Sequence, residues 1–196
     1  MKKKTKYHHG NLADALLRAG VKEARVNGPK NLGVTHLANQ VHVSPMAVYR
    51  HFPNGESLKA GISQQAREEL ARYMLKALGQ ETDVKKRFLT IGRSYIEFGL
   101  SEPGLFSVAF LDCDSLPNDE DDPSSRSIFH DAILDLSNEG LIEHSDIEQV
   151  AAFAWSLVHG YVTLTSAESL SPAMPKPEAV NELLERGWLA ITKFRK

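Results

Sequence analysis

The sequence predicts an all-α fold of about nine helices. Along most of the 196 residues, apolar side chains recur at the three- and four-residue spacing that places them on one face of a helix. No stretch of any length alternates apolar and polar residues as a strand would. Glycine and proline interrupt the helical pattern at several points, which is where helices are expected to end.

Four helices are predicted in the first 78 residues. Gly28-Pro29 should end the first helix. Ser44-Pro45 should begin the third, because serine is a favoured cap and proline suits the first helical position. Pro53-Asn54-Gly55 should end that helix, and Asn54 is the expected cap of the fourth. The predicted ranges are about 10–27, 34–41, 45–52 and 56–78.

The rest of the chain is predicted to be helical as well. An acidic, proline-containing loop covers about 112–125, and three prolines interrupt the chain between 172 and 177. We expect a domain of residues 1–55, with a basic N-terminal arm at 1–9, and a larger helical domain of residues 56–196. The predicted helices are about 84–100, 105–111, 127–138, 146–167 and 178–194.

Charge is distributed unevenly along the sequence. Residues 1–62 hold ten Lys or Arg and three Asp or Glu, whereas residues 63–196 hold thirteen and twenty-two, so a net charge of −2 hides a basic first third. The lysines at the start explain only part of this excess. Such asymmetry indicates that one end of the protein meets a polyanion. Since the charge changes inside the fourth helix, that helix should join the two parts.

The second and third helices have the pattern of a helix-turn-helix over 34–52. Apolar residues of both helices, among them Leu37, Ala38 and Val48, would form a small core. The outer face of the third helix would then fit the major groove of DNA with its first side chains at base edges. A purely structural helical hairpin is the alternative. Left outside the core are Pro45, Met46, Ala47, Tyr49, Arg50 and His51.

These residues resemble a known family. Residues 7–60 are similar to the DNA-binding domain of TetR-type transcriptional regulators, and a shorter motif resembles the Trp…His-Gly (WHG) signature of one C-terminal subgroup of that family. The segments that carry the resemblance are Tyr7-His8-His9-Gly10-Asn11-Leu12, Leu37-Ala38, Val43-Ser44, Tyr49-Arg50-His51-Phe52-Pro53 with Leu58, and Trp155-Ser156-Leu157-Val158-His159-Gly160.

The resemblance implies a homodimer that binds double-stranded DNA at a palindromic operator and responds to a small-molecule effector. It implies that Tyr49 and His51 contact phosphates, that Pro45, Met46 and Ala47 read bases, and that the arm with Tyr7 follows the backbone or enters the minor groove. The expected DNA-binding residues are Tyr7, Thr35, His36, Ser44, Pro45, Met46, Ala47, Tyr49, Arg50, His51 and Lys59.

Three positions depart from the family pattern. His42 stands where the family usually has the glycine of the turn, and Gly33 stands where it usually has a hydroxyl cap of the second helix. Gly55 replaces a phosphate-contacting lysine at the start of the fourth helix. Lys59 lies one turn later on the same face, so we expect it to substitute in part.

The eighth predicted helix is apolar on more than one face, which favours burial between its own core and a second subunit. A helix central to a monomer is the alternative, and a membrane span is a further one because Gln149–Ala167 carries no charged residue. Six polar residues in that segment favour burial in protein. The expected interface residues are Trp155, Val158, Val162, Leu184, Trp188 and Ile191.

A ligand pocket in the larger domain would combine aromatic side chains with a few polar groups. The same aromatic residues at helical spacing could simply form the core. The candidate pocket residues are Arg93, Tyr95, Phe98, Phe106, Phe110, Phe129, His130, Trp155 and His159.

Other site chemistries find little support in the sequence. The only cysteine, Cys113, excludes an intrachain disulfide, and no His or Cys spacing matches a closed zinc site. The acidic loop lacks the glycine of a calcium-binding loop. No nucleophile elbow, phosphate loop or dinucleotide fingerprint is present, so we expect no enzyme, no metal and no cofactor. The basic start is not followed by an apolar signal core, so a cytoplasmic protein is expected.

The sequence therefore predicts a DNA-binding transcriptional regulator, in the first place a ligand-responsive repressor. One alternative is a DNA-binding regulator controlled by a protein partner, which would show an exposed apolar patch in place of a cavity. Another is a helical interaction module or enzyme without a DNA function, which would bind DNA weakly and with little salt dependence.

Overall fold

A computed structural model describes residues 10–111, 124–170 and 175–193, and within these ranges it is entirely helical. This confirms the predicted fold class. A short 3₁₀ turn at His144–Asp146 precedes the eighth helix. The α-helices are α1 Gly10–Asn27, α2 Val34–Gln40, α3 Pro45–Val48, α4 Gly55–Leu78, α5 Val84–Ser101, α6 Pro103–Ala109, α7 Ser125–Asn138, α8 Ile147–Ser166 and α9 Pro177–Lys193.

Side chains cap the starts of three helices. The predicted cap of α4 is present, since Asn54 Oδ1 accepts a hydrogen bond from the Ser57 amide at 2.7 Å. Asp83 caps α5 in the same way through the Lys86 amide at 2.8 Å. Ser124 begins α7 in a reciprocal capping box. These caps set where the chain enters each helix.

Helix α3 is shorter than the sequence predicts. It ends at Val48, four residues before the predicted end, and residues 49–51 form turns. The amides of His51 and Phe52 both donate to the Val48 carbonyl, at 2.9 and 3.0 Å, which tightens the backbone there. Helix α3 is therefore a single helical turn, and tight turns follow it.

The described chain divides into two compact units. Unit 1 comprises residues 10–67 and 104–111, and unit 2 comprises residues 68–103, 124–170 and 175–193. In unit 1, Leu16, Leu37, Leu58 and Ile62 are fully buried. In unit 2, α5 contacts α7, α8 and α9 and supplies the fully buried Tyr95. Helix α4 contributes residues to both units, and the predicted boundary between residues 55 and 56 stays a prediction.

The apolar segment in α8 has the length that raised the alternative of a membrane span. Within the described ranges, no helix combines the length and the apolar character that crossing a bilayer requires.

Candidate functional site

The turn between α2 and α3 depends on one residue in a left-handed conformation. His42 has φ +58°, and the amide that follows it, that of Val43, donates to the Ala38 carbonyl at 2.9 Å. This arrangement ends α2 and reverses the chain within a few residues. Glycine adopts such a φ without steric cost, and histidine does not. The family's usual glycine at this position thus has a structural reason, and this chain carries the strain instead.

The inner face of the helix-turn-helix forms the predicted core. Leu37, Ala38 and Val48 have no exposed surface, and Val43 and Phe52 are half-buried. Because residues of both helices share this core, α2 and α3 are held at a fixed angle.

The outer face carries most of the expected DNA-binding residues. Met46 is 70% exposed and Tyr49 48% exposed, while Ala47 and His51 are half-buried. The Ser44 hydroxyl makes no cap hydrogen bond, although Ser44 occupies the cap position of α3. Tyr7 and the arm at 1–9 lie outside the described residues. The remaining exposed members of the set are Thr35, His36, Pro45 and Arg50.

Glu23 of α1 organises the side chains around His36, and sequence reasoning missed it. Its carboxylate accepts hydrogen bonds from Gln40 at 2.6 Å, Asn27 at 2.8 Å and Asn31 at 3.2 Å. The His36 Nε2 atom lies 3.3 Å from the same carboxylate. These hydrogen bonds, above all that of Gln40, lower the pKa of Glu23 to about 2. The sequence feature that could have pointed to Glu23 is its acidic side chain within a predominantly basic segment.

Two departures from the family pattern lie at the starts of helices: Gly55 begins α4, and Gly33 is the cap of α2. Lys59 forms an ion pair with Glu56, with 2.9 Å between Nζ and Oε1. Such an exposed pair contributes about 0.2–1 kcal/mol, so it can open when a phosphate approaches. A Cβ at Gly55 would meet Val34 at an ordinary 3.8 Å, and a Cβ at Gly33 would meet nothing within 4 Å. Gly33 therefore stands in open space, and Gly55 could take a Cβ in ordinary van der Waals contact.

Helix α6 belongs to unit 1 through polar contacts that the sequence did not reveal. The Ala109 carbonyl at its end accepts hydrogen bonds from Ser63 Oγ at 3.2 Å and Arg67 Nη1 at 3.1 Å. The same Arg67 nitrogen donates to Ser63 Oγ at 2.8 Å. Ser63 is fully buried, so its hydroxyl depends on these partners. Residues far apart in sequence thus fasten α6 to α4.

Four of the candidate pocket residues form one aromatic cluster in unit 2. The rings of Tyr95, Phe129 and Trp155 meet edge to face with centroids 5.2–5.5 Å apart. The His159 ring stacks on Trp155, and its Nδ1 lies 2.8 Å from the Tyr95 hydroxyl. Burial lowers the pKa of His159 and raises that of Tyr95. A neutral Tyr–His hydrogen bond therefore lies within an apolar core.

The other candidate pocket residues do not join this cluster. Arg93 and His130 are exposed, and the Phe98 ring packs against Tyr73. Phe106 and Phe110 pack against each other in unit 1. The structure thus separates the set that the sequence grouped together.

Two cavities in unit 2 differ greatly in size. The one beside Phe129 and Gly92 has a volume of about 10 Å³, which is at most room for one water. An open groove of about 590 Å³ lies between the start of α8 and the end of α9, where it is lined by Ile142, Val150 and Phe153 together with Glu143 and Asp146. The groove includes none of the candidate pocket residues.

The expected interface residues mostly face the interior of unit 2. Trp155 is half-buried, and five others are buried within the single chain: Val158, Val162, Leu184, Trp188 and Ile191. The exposed apolar side chains of the same two helices are Phe153, Leu164 and Leu189, at 44–47% exposure. An interface formed by α8 and α9 would therefore use the faces opposite to the predicted ones.

Across the described residues, no group of three or more His, Cys, Asp or Glu side chains is placed to hold a metal ion. His8, His9, Cys113 and the acidic loop lie outside those residues.

Residues 88–188 match the model of a family described as Tetracyclin repressor-like, C-terminal domain. The nucleoid occlusion factor SlmA of Aliivibrio fischeri is 30% identical over 99 residues, which cover 50% of this chain and 50% of that protein. The chain spans about half the length of the curated relatives it matches.

Two solved structures show the same fold. A protein of unknown function from Rhodococcus sp. RHA1 has a TM-score of 0.74 at 21% identity, covering 97% of this chain and 98% of that chain. A TetR family transcription regulator from Marinobacter aquaeolei VT8 has a TM-score of 0.69 at 18% identity, covering 91% and 94%. Because the family model spans just over half of the sequence, the chain belongs to the Tetracyclin repressor-like (TetR) family.

Proposed function

We propose that this protein is a sequence-specific DNA-binding transcriptional regulator whose α3 enters the major groove. The observation that carries the proposal is the division of the helix-turn-helix into two faces. Leu37 of α2 and Val48 of α3 are fully buried, whereas Met46 of α3 and Tyr49, directly after it, are 70% and 48% exposed. A rigid support that presents an exposed first turn is the geometry with which such motifs read base edges.

Charge supplies the part of the affinity that does not depend on sequence. Arg50 is exposed and follows Tyr49 in the chain, and His51 comes next in the same turn. Each cation that neutralises a phosphate releases counterions, so affinity should fall steeply with salt concentration. Tyr49, Arg50 and His51 are the proposed phosphate contacts, with Thr35 and Lys59 at the edges of the surface.

A second copy of the chain is the proposed partner. The exposed Phe153 and Leu164 of α8 and Leu189 of α9 are apolar side chains that a subunit interface would cover. Two recognition helices placed about 34–36 Å apart by such a dimer would meet successive major grooves. The twofold symmetry of such a dimer implies a palindromic operator. The Trp155–His159–Gly160 motif supports membership of the WHG subgroup.

The proposed control is by a small apolar effector that favours a dimer with a different spacing of the recognition helices. The hydrogen bond between the buried Tyr95 and the half-buried His159 is one that an effector could replace with a hydrogen bond of its own. Because the cavity beside Phe129 holds about 10 Å³, an effector there must move the aromatic side chains. Repression by the free dimer is the corresponding mode of action.

One observation favours a second candidate, a DNA-binding regulator controlled by a protein partner. The cavity beside the aromatic cluster has a volume of only about 10 Å³, which leaves no space for a small-molecule effector in the packing as it stands. The curated relatives carry the name nucleoid occlusion factor. The two candidates differ in a simple measurement: small apolar compounds release operator DNA in the first and have no effect in the second.

The test of DNA binding is selection of bound fragments from sheared genomic DNA with the purified protein near physiological salt. We expect one shared palindrome. Arg50→Ala should weaken binding to it and flatten the dependence of affinity on salt. Arg93→Ala, which removes an exposed arginine from unit 2, is the matched control and should change neither quantity. Weak binding without sequence preference or salt dependence would contradict the proposal.

A further inference from the structure

The first turn of α3 presents a small apolar surface. Pro45 is exposed, Met46 is 70% exposed and Ala47 is half-buried, while Val48 points into the core. None of the first three side chains carries a hydrogen-bond donor or a strong acceptor. The base that this surface contacts can be inferred from that chemistry, and the inference rests on the proposed DNA-binding function.

Folding alone does not account for Met46. Its side chain remains in water, so it adds little to the stability of the domain. An isolated exposed apolar residue is common, but this one adjoins the exposed Pro45 in the chain and precedes, by three and four residues, Tyr49 and Arg50, the proposed phosphate contacts. Its position, at the first turn, is the part of a recognition helix that approaches base edges.

Base edges in the major groove offer one apolar group. Guanine, cytosine and adenine present donors and acceptors there, whereas thymine adds a 5-methyl group. A long, flexible and polarisable methionine side chain packs well against such a methyl group. Pro45 and Met46 offer no hydrogen bond to the donors and acceptors of either base pair, so for these side chains the methyl group is what distinguishes an A·T pair from a G·C pair.

We infer that Met46, supported by Pro45, recognises the 5-methyl group of thymine in each half-site of the operator. Sequence preference in the first turn then comes from apolar contact and from the exclusion of base pairs without a methyl group. Met46 is a specificity-determining residue, and the hydrogen-bonding side chains around it set position and affinity.

Replacement of single thymines by deoxyuridine in the selected operator tests this inference, because it removes the methyl group and leaves pairing unchanged. Burial of one methyl group corresponds to about a fourfold change in affinity, and to about fifteenfold when both half-sites are changed. We expect a loss of this size at one or two thymines per half-site. The Kd is measured for each substituted duplex.

Variants of Met46 test whether its side chain makes the contact with the thymine methyl group. Met46→Ala should bind the thymine and deoxyuridine operators equally, and Met46→Leu, which keeps an apolar side chain, should retain part of the discrimination. Val26→Ala is the matched control, since Val26 is an apolar residue of α1 that is 76% exposed, and it should discriminate as the wild type does.

The possible outcomes separate this inference from the proposed function. Tight, sequence-specific binding that no deoxyuridine substitution weakens would overturn the inference and leave the proposed function intact. So would discrimination that persists in Met46→Ala. Binding without any sequence preference would overturn both.

Discussion

Gly104, near the start of α6, lies directly against the carbonyl oxygen of Ala24 in α1, so that no Cβ fits at this position. The Ala24 carbonyl also accepts the hydrogen bond from the Gly28 amide, at 2.8 Å, that closes the end of α1. A side chain at position 104 would therefore push on backbone that is already committed to a hydrogen bond. The absence of a side chain at Gly104 therefore allows the backbones of α6 and α1 to pack closely within unit 1.

Gly104→Ala should destabilise unit 1 by about 1–3 kcal/mol, because the added methyl group forces the two helices apart. Urea-induced unfolding measures the change in free energy. Gly55→Ala serves as the control: its Cβ would meet Val34 at an ordinary distance, and alanine favours a helix start no less than glycine favours it. Equal unfolding midpoints for Gly104→Ala and the wild type would show that α6 can shift without cost.

His42→Gly should raise the free energy of unfolding by up to about 1 kcal/mol. The residue has φ +58°, which costs a non-glycine residue about 1–2 kcal/mol. Glycine avoids this cost but loses more backbone entropy on folding than histidine, so only part of it is gained as stability. His42→Val should destabilise, since a β-branched residue tolerates this conformation least. Chemical denaturation of the three proteins gives the order of stability. A less stable His42→Gly protein would show that the imidazole makes a compensating contact.

Stability should fall in a defined acid range through Glu23. Its pKa is about 2 in the folded protein and near 4.5 when unperturbed, so its contribution is complete above about pH 4.5 and disappears as pH falls towards 2. Glu23→Gln should therefore be less stable than the wild type at pH 7, with the difference vanishing near pH 2. Urea unfolding across this range tests it, with the exposed Glu139→Gln as control. A difference independent of pH would contradict the assignment.

Gly55→Lys should strengthen operator binding. The position has room for a side chain, and the resemblance places a phosphate-contacting lysine there. One added cation per subunit should steepen the dependence of log affinity on log salt by about two in a dimer. Binding titrations at several salt concentrations measure the slope, and Gly55→Ala should leave it unchanged. An unaltered slope for Gly55→Lys would place the start of α4 away from the phosphates.

Glu56 and Lys59 should have opposite effects on DNA binding. Lys59→Ala removes a proposed phosphate contact and should lower both affinity and salt slope. Glu56→Ala removes a negative charge and releases Lys59 from its 2.9 Å ion pair, so it should raise affinity. Both residues are on the surface, so stability should change by less than about 1 kcal/mol. Should Lys59→Ala leave affinity and slope as they were, the idea that Lys59 substitutes for the family lysine fails.

The sequence predicted helices well where local chemistry decides them. Asn54 caps α4 as expected. His42, which stands where the family usually has the glycine of the turn, does have a positive φ. The predicted length of α3 was wrong: the helix ends at Val48, and the amides of His51 and Phe52 both donate to the Val48 carbonyl in tight turns that the periodicity did not reveal.

Side-chain roles were harder to predict from the same patterns. An apolar face of α8 can pack against its own chain or against another, and helical spacing does not distinguish the two. Val158 and Val162, expected at an interface, are buried in the single chain, while Phe153 and Leu164 are exposed. Glu23 and Arg67 were missed because their partners are brought close only by folding.

The attachment of α6 to α1 and α4 has a consequence for biosynthesis. Unit 1 is discontinuous in the chain: its N-terminal part ends at residue 67, and α6 arrives only after all of α5 has been made. On the ribosome, the first four helices therefore emerge with Ser63 and the end of α1 still uncovered. A chain truncated after residue 67 would stay permanently in that unfinished state. Completion of unit 1 is thus timed by the synthesis of the part of the chain that follows residue 67.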